Sequence, residues 1–359
     1  MDTDVIAVKA PTDRRTEARE RDLDWLTALV PVVIISLLYY RLSALTAELL
    51  AVGGYLMMSV LLARPCGQTL KEVSLPEGLV AGLIAAFCLP ATAPLWLSAL
   101  IGGVAAAIAA VPRLIARRWQ NSPFARPLIH PAVTAFLLAL LVFPAAGSGY
   151  TLPAQWAADG LTGATPLAAI ADGKSMEWWR LLFGLHAGAI GETCTALILL
   201  TAVYLLLRRR LRVIAPAAML GTVALLTVLT GESPVYALLA GGLVPAAVLL
   251  GDRLYAPTLW HEQLTVGVAA GFVTVCIRLS GWRTEGVAVA LLAAWILTPL
   301  LPVARRVLYP AALWIGKRLY PLLAWLGGVI ASAASRLWAI IVRFFAGLYG
   351  KFKNRKNNS

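Results

Sequence analysis

Apolar residues in this chain come in runs of about 17–25, one after another from Trp25 to Val303. A helix of that length crosses the roughly 30 Å hydrocarbon core of a bilayer. Inside such a core every backbone N–H and C=O must find its partner within the protein, which leaves helices or a closed barrel. The runs lack the alternation of a membrane barrel. The chain is 60% hydrophobic and 14% charged, with a mean hydropathy of +0.77, too little charge for a soluble domain of this size. The expected fold class is therefore an all-α polytopic membrane protein of about ten transmembrane helices.

Ten spans follow from the runs: about 25–40, 44–63, 78–95, 97–112, 128–144, 181–206, 213–230, 235–250, 264–280 and 287–303. Residues 1–24 are polar and mixed in charge, with no apolar core or cleavage site of a signal peptide. They read as a cytoplasmic N-terminal segment before a membrane domain of residues 25–303. Arg113, Arg117, Arg118 and Arg126 lie in one loop, Arg208, Arg209, Arg210 and Arg212 in another, and Arg305 and Arg306 follow the last span. The three sites have the same parity, so all are expected on the cytoplasmic side, with both termini. Residues 145–180 hold only Lys174 and Arg180 as basic residues, and are expected outside. The location this implies is a bacterial-type inner membrane.

The net charge of +13 is concentrated in the tail, where Pro302–Ser359 carries ten basic residues and no acidic one. Residues 304–359 read as a basic, amphipathic cytoplasmic tail with Trp314, Trp325 and Trp338 as interfacial anchors; a hairpin that crosses twice is the alternative. Its partners would be anionic lipids, not nucleic acid. Cys66, Cys88, Cys194 and Cys276 form no C-x-x-C pair. They read as small core residues, and no metal or iron–sulfur site is expected. Pro94-Leu-Trp with Gly102-Gly103 faintly echoes Pro234-Val-Tyr with Gly241-Gly242, as in a bundle of two related halves.

One polar island interrupts this pattern: Asp159-Gly-Leu-Thr-Gly-Ala-Thr-Pro-Leu, residues 159–167. It resembles the flavin-attachment sequence of a membrane-protein family, RnfD/NqrB. Its members are the D component of Rnf electron-transport complexes and the B component of the sodium-pumping NADH:quinone oxidoreductase. Further partial matches run in order along residues 79–303. They are Leu89-Pro90 with Pro94-Leu95-Trp96, Gly188-Ala-Ile-Gly-Glu192-Thr193, Asp252 with Pro257, and Ile277-Arg278 with Gly281 and Glu285-Gly-Val. The chain departs from the family where His130 replaces the Asn of its N-P-A segment and where Arg253 follows Asp252 in place of Pro.

The resemblance implies a membrane electron-transfer subunit, part of an oxidoreductase or translocase and not catalytic alone. It implies FMN held by a phosphoester on Thr165, with Asp159, Gly163, Ala164 and Arg278 as neighbouring binding residues, and it admits a second, non-covalent flavin. Implied partners are other membrane redox subunits, an extracytoplasmic FMN-binding protein and a flavin transferase. Thr162 reads as a turn cap. Glu192 and Asp252 are the candidate ion or proton relay groups. For Glu192, a neutral acid bonded to a neighbouring helix is the equal alternative. Arg278 could equally pair with Glu285 or snorkel, and His186 reads as structural. A flavin-free channel like those for urea or ammonium, or a scaffold for redox partners, remains the rival reading.

Overall fold

The computed structural model describes residues 11–119, 122, 125–144, 149–150, 152–153, 166, 177–192, 194–231, 233–280, 286–304 and 306. Asp159, Thr162, Gly163, Ala164, Thr165, Glu285 and almost all of the basic tail lie outside the described residues. The chain divides into two compact units, Met1–Pro299 and Leu300–Ser359. The cavities described below belong to the first.

Among the described residues, twelve helices follow one another: α1 Pro11–Tyr40, α2 Leu42–Ala63, α3 Leu75–Phe87, α4 Leu95–Arg118, α5 Pro131–Val142, α6 Trp178–Phe183, α7 Thr195–Leu207, α8 Ile214–Leu229, α9 Pro234–Leu239, α10 Leu243–Leu250, α11 Trp260–Leu279 and α12 Gly286–Ala304. No strand occurs among the described residues, only two isolated bridges. Helices α2, α4, α11, α12 and the Arg15–Tyr40 part of α1 are long and apolar enough to cross a membrane. The pairs α6/α7 and α9/α10 each stand where one span was expected, so the order amounts to ten passes of an all-α membrane bundle.

Helix α1 starts earlier than the apolar pattern suggests. Residues 14–21 are Arg, Glu, Ala and Thr, mostly strong helix formers, and they extend the first span back to Pro11. Asp22 and Asp24, read as part of a solvated segment, are buried. The chain then reverses at a single residue, Arg41, with φ 52°.

Glycine decides the closest packing. A Cβ on Gly54 would strike the carbonyl of Ala99, and one on Gly102 the carbonyl of Ala51, so α2 and α4 touch backbone to backbone. Gly267 and Gly271 of α11 fit the same way against Ala215 and Met219 of α8. Around these seams the outer faces stay apolar, with Leu49, Met57, Leu225 and Phe272 exposed, as a lipid-facing bundle requires.

Three of the expected passes are interrupted. At about 1.5 Å per residue, thirteen-residue α3 is too short to cross the hydrocarbon core. It ends at Phe87, and a buried turn leads through Pro90 to α4. The expected span 181–206 is broken between α6 and α7, and the expected span 235–250 breaks at Ala240–Gly242. The echo between Gly102-Gly103 and Gly241-Gly242 is therefore not carried into local structure. The first pair lies inside an unbroken helix; the second has φ of +66° and +65° and ends one.

Candidate functional site

The three interruptions meet. Pro90 bridges to Ala189, Ile190 N–H donates to Leu89 O at 2.9 Å, and Gly191 N–H donates to Phe87 O at 3.1 Å. The turn after α6 thus satisfies the backbone left over by the end of α3, which lipid could not do. Glu192 lies in this turn, not within a helical span as its sequence position suggested. Its Oε1 accepts from Ala189 N–H at 3.2 Å. A Cβ built on Gly242 would come within 2.5 Å of Glu192 Oε2, so the carboxylate sits against the α9/α10 break, at the residue that leads into α10.

Arg278 closes the same break from the other side. Its guanidinium donates to the carbonyls of Ala237, Ala240 and Gly241 at 2.8, 3.1 and 3.5 Å. A cation thus faces the carbonyl end of α9 and an anion the amide end of α10, each matching the helix dipole it meets. Sequence reasoning offered Arg278 a flavin phosphate, Glu285 or the interface; Glu285 lies outside the described residues, and these backbone carbonyls are contacts that Arg278 makes among the described ones. His186 is buried beside this turn, with Nδ1 3.1 Å from Ala187 O.

Two cavities open around these elements. The larger, about 1110 Å³, lies at the end of the bundle that carries the arginine-rich loops. Its polar wall is built by α1 (Arg21, Asp22), α3 (Glu77), α4 (Arg113), the residue before α5 (His130) and the loop after α10 (Asp252). Glu77 falls there because Ser74 caps α3 through Glu77 N–H. Its carboxylate pairs with Arg113 and accepts from Tyr55 O–H at 3.0 Å. Arg21 pairs with Asp22 at 2.6 Å.

Asp252 accepts from Leu254 N–H at 3.0 Å. Burial pushes its carboxyl up to about 6, against the opposing pull of Arg21. Burial also raises the Tyr255 phenol. The rings of His130, Tyr255 and Trp295 lie 5.1–6.0 Å apart, and His130 Nδ1 is buried with no partner among the described residues.

The smaller cavity, about 130 Å³, is mostly apolar. Glu192, Thr201, Tyr150, Trp25 and the Gly241–Gly242 backbone are among the polar groups that line it. Cys88 lines it and Cys194 is buried, as small core residues should be, whereas Cys276 is exposed.

The structure therefore brings Glu192 and Arg278 to one helix break and places Asp252 at the other cavity. Sequence reasoning missed Asp22, Glu77, Tyr255 and Trp295. The one available signal was Ser74-Leu-Pro-Glu77, a helix start that fixes Glu77.

A family model described as NQR2, RnfD, RnfE family matches residues 7–307. The chain belongs to the NQR2, RnfD, RnfE family. A member from Clostridium ljungdahlii, the D component of a proton-translocating ferredoxin:NAD(+) oxidoreductase complex, is 27% identical over 253 residues, 64% of this chain and 74% of the relative. The D component of the Na(+)-translocating ferredoxin:NAD(+) oxidoreductase complex of Acetobacterium woodii is 28% identical, covering 77% and 80%. The B component of the Na(+)-translocating NADH-quinone reductase of Chromohalobacter salexigens is 30% identical, covering 70% and 62%. These NQR2, RnfD, RnfE family relatives are components of ion-translocating oxidoreductase complexes. The chain is accordingly a multi-pass membrane subunit of an electron-transport complex.

Proposed function

We propose that the chain relays electrons within such a complex through FMN held as a phosphoester on Thr165. The observation that carries this reading is the uninterrupted Asp159-Gly-Leu-Thr-Gly-Ala-Thr165 segment, in a family member, on the stretch between α5 and α6. The Thr hydroxyl is the one atom the ester needs. Gly163 and Ala164 leave room for a transferase, and Asp159 can hold the turn.

In this reading the arginine-rich end faces the cytoplasm of a bacterial-type inner membrane and Thr165 faces outward. An extracytoplasmic FMN-binding protein and other membrane redox subunits are the partners, and the basic tail meets anionic lipid. Flavin supplies one- and two-electron carriage; the protein supplies placement and a low-dielectric surrounding.

A second, non-covalent flavin belongs to the same proposal. The 1110 Å³ cavity is roomy by the standard of ligand sites, about 300–1,000 Å³. The Tyr255 ring and the unpartnered Nδ1 of His130 fit a planar heteroaromatic group. Glu192 and Asp252 are the groups whose charge could follow ion or proton movement.

The deciding experiment expresses the chain with an active flavin transferase. The denatured band should fluoresce, and a peptide spanning residues 159–180 should carry the added mass of FMN. Thr165→Val should abolish both while the protein still inserts; Thr162→Ala should abolish neither. A wild-type peptide without the added mass would overturn the assignment and bring the channel or scaffold reading forward.

A further inference from the structure

The larger cavity carries more positive charge than its own acids neutralise. Arg15, Arg19, Arg21, Lys71, Arg113 and Arg126 all line it. Arg15, Arg21 and Arg113 are each held by an acid: Glu72, Asp22 and Glu77. The remaining lining acid, Asp252, is buried. Arg19, Lys71 and Arg126 pair with no acid among the described residues. All three are exposed. They come from three separate elements: α1, the 3₁₀ turn Leu70–Glu72 between α2 and α3, and the segment before α5. Membrane topology accounts for basic residues at this end of the bundle. It does not account for three of them converging on the rim of one cavity.

Inward from this rim the wall is apolar. Ile108, Val111 and Ile115 of α4 recur at helical spacing, with Ala116 beside them. Together they form a stripe about 12 Å long at ~1.5 Å per residue. Val80 of α3 and Leu138 of α5 line the same cavity. Leu75, Val111 and Leu138 are exposed as well as lining, so the cavity is open along this apolar side. A cationic rim beside an open apolar wall fits an anionic amphiphile. Basic pockets between transmembrane helices at a cytoplasmic surface bind anionic lipid headgroups in this way.

We propose that the larger cavity seats an anionic phospholipid, with Arg19, Lys71 and Arg126 around its phosphate and an acyl chain along the α4 stripe. Three cations arriving from different elements can each take a separate phosphate oxygen. A glycerol headgroup adds no charge of its own, whereas choline brings a cation that the rim repels. This is a built site, distinct from the diffuse attraction of the basic tail. His130 and Tyr255, which the proposed function offers to a planar group, belong to other elements of the wall. The lipid site does not rest on that reading.

The test uses the full chain in nanodiscs, made without a flavin transferase, so its failure leaves the Thr165 assignment untouched. Ala116→Cys places a thiol on the stripe. An uncharged maleimide reads its accessibility, and peptide mass spectrometry separates it from the native cysteines. In phosphatidylcholine alone the introduced thiol should react freely. Adding phosphatidylglycerol should slow the reaction and saturate. In the same background, Lys71→Gln and Arg126→Gln should each raise the phosphatidylglycerol needed for half-protection about fivefold.

Arg118→Gln is the control, since Arg118 is exposed at the same end of the bundle but does not line the cavity. It should leave the protection unchanged. Equal protection by the two lipids overturns the site. So does an Arg118→Gln effect as large as that of Lys71→Gln, which would mean surface charge alone. Protection by inorganic phosphate without phosphatidylglycerol would mean a plain anion site and overturns the lipid. If Ala116→Cys does not fold, Leu138→Cys decides by the same criteria.

Discussion

At the scale of single residues, the structure puts charges where an apolar-run reading sees none. Asp252 is the most telling. Its carboxyl is raised to about 6 by burial, so the folded protein holds its proton more tightly than the unfolded chain. Stability is then lost as pH rises from the ordinary aspartate value near 4 through 6, and is regained on acidification. A shift of this size corresponds to roughly 3 kcal/mol at 1.36 kcal/mol per unit. Asp252→Asn keeps an acceptor for Leu254 N–H and removes the charge. Thermal melts in detergent should show the variant more stable than wild type at about pH 8, with the gap narrowing toward pH 5. A gap independent of pH would mean that the acid is ionised without penalty. The position of Asp252 was legible from the family pattern; its burial was not, because burial depends on Arg21 and other groups far away in sequence.

At the scale of elements, passes were legible and their interruptions were not. A run such as Pro234–Leu250 has the composition of an unbroken helix, since Gly241-Gly242 is as consistent with close helix packing as with a break. Gly102-Gly103 is the proof: the same dipeptide lies within unbroken α4. What distinguishes the two is tertiary. Ala51 backbone fills the space beside Gly102, whereas at Gly241–Gly242 Arg278 bonds the carbonyls that end α9 and Glu192 lies close beside Gly242. This difference can be tested on α2 and α4. Gly102→Ala should separate the pair and lower the melting temperature sharply, as overpacking typically costs about 1–3 kcal/mol. Gly53→Ala faces open space and should be neutral or slightly stabilising, because alanine is the better helix former. Equal effects of the two substitutions in the same melt would contradict the seam.

At the scale of the whole molecule, the arginine clusters prove to be structural ties as well as a charge pattern. Arg208 and Arg210 grip the buried carboxylate of Asp24 at 2.8 and 2.5 Å, and Arg212 donates to the carbonyls of Ala256 and Pro257. Arg208 and Arg210, together with Thr201 O–H donating to Ala28 O at 2.7 Å, fasten α1 to the far half of the chain. Replacing both Arg208 and Arg210 by Gln leaves a buried acid without its cations. The expected result is a lower melting temperature, and Asp24→Asn in the same background should recover much of the loss. No recovery would show that the arginines act elsewhere.

The same contact bears on how the protein is made. Asp24 emerges early in synthesis and its partners only after seven of the twelve described helices have been translated. Until then the first hydrophobic helix carries, at its arginine-rich end, an acid that its final neighbours have yet to neutralise. A nascent chain halted before Arg208 cannot complete this contact. The first helix thus stays marked as unfinished until synthesis has passed the middle of the chain, and a membrane protease or chaperone that recognises uncompensated charge could tell a stalled product from a finished one by that single residue.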